Sequence, residues 1–148
     1  MENGGIALEN SSLQNRQAQW YVLDRTANDR WNPEGERHRS MLRHICDLQE
    51  AYARQPLRHI WGSGAGCLDA LWLAAQCDVD LLVLDGWPPS GTDRYMERLC
   101  LRSLFSVICP TIVLLQPGAR FSPLPNAKTY IVESPVQLRE ITEKLAFA

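Results

Sequence analysis

The sequence predicts an α/β protein with a doubly wound, five-stranded parallel sheet. Short β-type runs alternate with helix-type segments, an order that builds a parallel sheet with helices on both faces. Two of the runs, Leu81–Leu84 and Ile112–Leu115, are continuously apolar, as strands covered on both faces are. Right-handed crossovers leave few topologies, and strand order 2-1-3-4-5 leads them.

Each element has its own signal. Met1 to Gln17 is rich in Gly, Asn, Ser and Gln, and reads as a flexible arm (1–17) before one domain (18–148). Trp20 to Leu23 is a short β-type run, and Thr26 to Gly35 a polar loop. From Glu36 to Arg54 the apolar positions Met41, Leu42, Ile45, Leu48, Ala51 and Tyr52 recur at helical spacing until Pro56 stops them. Leu57 to Trp61 is a second strand, stopped by Gly62-Ser63-Gly64-Ala65-Gly66. Cys67 to Gln76 is helix by propensity. After the Leu81 run comes a turn-rich loop, Gly86 to Thr92, then a helix over Asp93 to Val107. Thr111 to Leu115 and Thr129 to Val132 are the last strands, separated by a proline-rich loop, Gln116 to Ala127. Ser134 caps a terminal helix with Pro135 at its first position and a stripe of Leu138, Ile141 and Leu145.

The 148 residues suffice for one domain, and 45% apolar with 22% charged residues is ordinary globular composition. A net charge of −2 offers no basic field, so nucleic acid is a poor partner. No apolar run reaches membrane-spanning length, and the N-terminus lacks a signal-peptide pattern. The five cysteines are odd in number and show no metal spacing with the three histidines. They read as reduced, mostly buried thiols in a cytoplasmic protein with no metal and no cofactor.

Asp80-Leu-Leu-Val-Leu-Asp85-Gly-Trp-Pro-Pro89 resembles the third strand and following loop of bacterial response-regulator receiver domains. Tyr130-Ile-Val-Glu-Ser-Pro135 with its helix resembles the end of the same fold. The resemblance covers roughly Trp20 to Phe147 and implies a flavodoxin/receiver-like sheet. It places the phosphoacceptor at Asp85 and a metal-holding acid at Asp24. The departures are specific: Arg25 stands for the second acid, Leu115 and Gln116 for a hydroxyl residue, Glu133 for a lysine, and the fourth helix falls in the proline loop. Phosphoryl transfer to a carboxylate needs a metal and a cation to offset charge. The expectation is a degenerate pseudo-receiver, not phosphorylated and not an enzyme, that serves bacterial signalling as a protein-interaction or assembly module. A receiver with altered metal ligands at Asp85 is a further reading.

Outside that resemblance, Asp85 and Asp24 are also plain turn-capping or Arg25-pairing residues. The glycine-rich turn after the second strand has three readings, the plainest being glycines that let the helix start close to the strand. As a phosphate cradle it lacks the third glycine of the dinucleotide fingerprint and any Walker lysine. As an α/β-hydrolase nucleophile elbow, small-x-nucleophile-x-small, it has Gly64 at the nucleophile position, Ser63 one residue off register, and no histidine after His59. That leaves a small nucleotide- or acyl-binding remnant as the alternative function. Trp61 and Trp72 read as core. Trp31 and Trp87 fall in loops at the sheet's carboxyl edge and read either as contact residues for a partner or as simple loop packing. Arg37, His38, Arg39, Arg43 and His44 form a basic patch, read as a solvated helix face or as a dock for an acidic partner. With the fourth helix missing, Phe121 and Leu124 of the proline loop, and Phe147, form an apolar patch suited to a homodimer or protein partner, or else fold back into the core.

Overall fold

The computed structural model describes residues 20–25, 37–89, 98 and 102–147. Its elements are β1 (Tyr21–Arg25), α1 (Arg37–Ala53), β2 (His59–Gly64), α2 (Gly66–Gln76), β3 (Leu81–Trp87), a 3-10 turn (Ser103–Ser106), β4 (Thr111–Leu115), β5 (Thr129–Val132) and α3 (Pro135–Phe147). The arm expected over 1–17 and the loop over 26–35 lie outside the described residues. So does most of the helix expected over 93–107, of which Arg98 and Arg102 are helical.

All five strands pair in parallel, as the sequence predicts. The order is sequential, β1-β2-β3-β4-β5, and not 2-1-3-4-5. Strand–helix alternation specifies a parallel sheet but carries no information about which edge the second strand joins. Sequential order has a consequence for the layers. Right-handed connections that all step in one direction lie on one face of the sheet. Buried residues of α1 (Ile45, Leu48, Tyr52) and α2 accordingly pack on Ile60, Leu82, Leu84 and Val113. The opposite face, with Trp61, Leu81, Val83, Ile112 and Val132, takes Leu138 of the terminal helix. Helices therefore cover both faces, the second through α3, which connects no strands.

The central strands owe their apolar runs to this arrangement. Leu82 and Leu84 point to one layer while Leu81 and Val83 point to the other, and all four are buried. Helix α2 is the most enclosed helix, buried at every residue from Gly66 to Ala74. Trp61 and Trp72 are core, as expected. The capping signal of α3 also holds: Gln137 N–H donates to Ser134 Oγ at 3.2 Å. Its expected stripe is partial, because Leu138 is buried and Leu145 is exposed.

No helix forms over residues 116–128, as expected. Of the two expectations for Phe121 and Leu124, an exposed contact patch or a fold back into the core, the structure shows the second: both are buried with the α1–α2 layer. Phe121 meets the Trp87 ring edge-on at 5.4 Å between centroids. The proline loop thus folds back over the flank that a helix would have covered, because an apolar face left in water costs more than ordering the loop. Phe147 ends α3, and its side chain lies outside the described residues.

The four described cysteines are free, with Cys67 and Cys109 buried, Cys77 half-buried and Cys46 exposed. Burial pushes the Cys109 thiol up to about 11 and raises that of Cys77 as well. A raised thiol pKa keeps the group protonated, and only the thiolate attacks a disulfide reagent. At pH 8 in the native protein, aromatic-disulfide labelling mapped by mass spectrometry will modify Cys46 before the other three described cysteines. Cys67 and Cys109 will react only after unfolding, and rapid native labelling of Cys109 would contradict this burial.

Candidate functional site

The carboxyl edge of the sheet gathers the residues that the sequence singles out. The strand registers align Asp24 with Ser63, Ser63 with Asp85, Asp85 with Leu114 and Leu114 with Val132. Asp24 and Asp85 therefore stand two strands apart, with β2 between them. Strands are spaced by ~4.8 Å, so their backbones are about 10 Å apart, twice the spacing of neighbouring strands. In the 2-1-3-4-5 order, β1 and β3 are neighbours. The acid pair that the receiver resemblance implies is thus not brought together. Glu133, at the end of β5, is likewise two strands from Asp85, and it is exposed rather than set against it. The side chains of Asp24 and Arg25 lie outside the described residues.

Asp85 is half-buried and accepts a hydrogen bond from Trp61 Nε1 at 3.2 Å. Trp61 in turn meets Trp20 edge-on at 5.4 Å. The carboxylate is thereby turned along β2 toward an indole. Beyond it the strand is irregular: the register with β4 shifts between Asp85 and Trp87, and Gly86 there has φ +88°. Gln116 straps this corner, its N–H donating to Trp87 O at 2.6 Å and its Nε2 to Gly86 O at 3.3 Å. The Trp87–Pro88 peptide is cis. Trp87, read as either a partner contact or a packed loop residue, is buried against Phe121 and not an exposed contact, because β3 extends through it instead of ending at Asp85. Trp31 lies outside the described residues.

The glycine turn holds the most distinctive backbone. Two of the glycines expected to stop β2, Gly62 and Gly64, lie within it, since the strand continues to Gly64. Helix α2 begins at Gly66, so one residue, Ala65, separates strand from helix. Gly64 has φ +59°, the left-handed region, and is exposed at the turn. Such a sharp strand-to-helix turn is what a nucleophile elbow requires of its backbone. Gly62 lets the helix approach: a Cβ there would stand 2.7 Å from both Ala70 Cβ and Gly66 O. Cys67 ties the same corner, its Sγ 3.4 Å from Gly62 O and 3.5 Å from Asp85 O.

An elbow reaction would need a nucleophile at the Gly64 position and a base beside it, and among the described residues neither stands there. Gly64 has no side chain. His59 sits at the start of β2, five residues back, about 16 Å along the strand. Its ring meets Trp20 at 5.3 Å. His44, read from the sequence as part of a solvated basic patch, is half-buried, with Nε2 2.9 Å from Asp69 Oδ1. Asp69 is only 2% exposed, in the first turn of α2. This pair joins α1 to α2, and sequence reasoning missed it. The available signal was one acid inside the apolar run CLDALWLAAQ, since a fully buried carboxylate is almost always paired. Burial, with Asp69 adding to it, also raises the Tyr21 phenol above its usual range.

Among the described residues, no group of three or more His, Cys, Asp or Glu is placed to hold a metal ion. No described helix is long and apolar enough to cross a membrane. Comparison with protein-family models, curated proteins and solved structures returns no match.

Proposed function

We propose that this protein is a non-catalytic α/β module that acts by binding a protein partner, as a regulatory or assembly component. The observation that carries the reading is Gly64: the position that an elbow gives to its nucleophile is exposed, left-handed and without a side chain. The separation of Asp24 from Asp85 by β2 supports the same conclusion for phosphoryl transfer. Exposed apolar side chains at Phe105, Ile108, Ile131 and Val136 favour a contact role.

A second reading, favoured by the same left-handed turn, is a small acyl ligand at the backbone of residues 62–66. The turn resembles that of the α/β-hydrolases while lacking their chemistry.

Activated-ester hydrolysis and fluorophosphonate labelling test the first reading. The wild type will form no adduct and will hydrolyse p-nitrophenyl acetate at the blank rate. Hydrolysis abolished by Ser63→Ala would show that the neighbouring hydroxyl is a working nucleophile and overturn the reading. Amide NMR shifts confined to residues 62–68 on adding short-chain carboxylates would favour the second reading instead.

A further inference from the structure

We draw no further inference here: the strongest candidate, the apolar outer edge formed by Ile131 of β5 and Val136 of α3, is exposed with nothing in the structure to show what covers it.

Discussion

Replacing Phe121 and Leu124 together by aspartate will remove a large share of the protein's folding stability. Both side chains are buried in the layer that includes α1, α2 and Trp87. Two carboxylates cannot take their places, because an unpaired buried charge costs more than releasing the loop. The loop therefore detaches and the burial of both side chains is lost. At roughly 1.5–3 kcal/mol for each fully buried large apolar side chain, the loss is about 5 kcal/mol. Whole domains have only about 5–15 kcal/mol of stability. Urea denaturation followed by circular dichroism reads the loss directly. Phe121→Leu, a milder change in apolar volume, will keep the cooperative transition. A double variant with an unchanged midpoint would mean that the loop does not close the core, and the exposed-patch expectation would return.

Gly62→Val will be the most damaging single change at the glycine turn. The added atoms meet Ala70 Cβ and Gly66 O at 2.7 Å and Cys67 Cα at 3.0 Å. Two of those three are backbone atoms of α2, so no rotamer change relieves them. The helix must move off the strand, breaking the packing of a segment buried at every residue from Gly66 to Ala74. Overpacking of this kind costs about 3 kcal/mol. For a chain of 148 residues that lowers the melting temperature by about 6–12 °C. Gly118→Ala is the control: φ there is +77° but no heavy atom lies within 4 Å of the added Cβ. It reports conformational strain alone, about 1–2 kcal/mol. Equal effects at the two glycines would mean that close approach is not what fixes Gly62.

The sequence was most informative where one residue's environment is set locally. β4 and β5 match their expected limits because their apolar runs are bounded by Pro110, Gln116, Lys128 and Glu133. Ser134 and Pro135 start α3 through a hydrogen bond to a residue three positions on. β2 runs past its expected end at Trp61 because glycine reads as a strand stop, while the reading that these glycines let the helix start close to the strand holds at Gly62. Strand order was illegible for a different reason: the pairing of β1 with β2 is a non-local choice that no periodicity encodes. That choice also scattered the candidate site, since Asp24 and Asp85 adjoin only if β1 lies beside β3. Trp87 and Phe121 each read as a loop aromatic, and tertiary contacts, their own ring pair among them, make them core.

The proposal that the protein carries out no phosphoryl chemistry is tested most directly by NMR of the full chain with Mg²⁺ and beryllofluoride. With the two aspartates held apart by β2 and Asp85 turned toward Trp61, amide resonances around Asp85 and the Trp61 indole will not move. A Mg²⁺-dependent shift at those positions that disappears in Asp85→Asn would show a working phosphoacceptor and contradict a non-catalytic module.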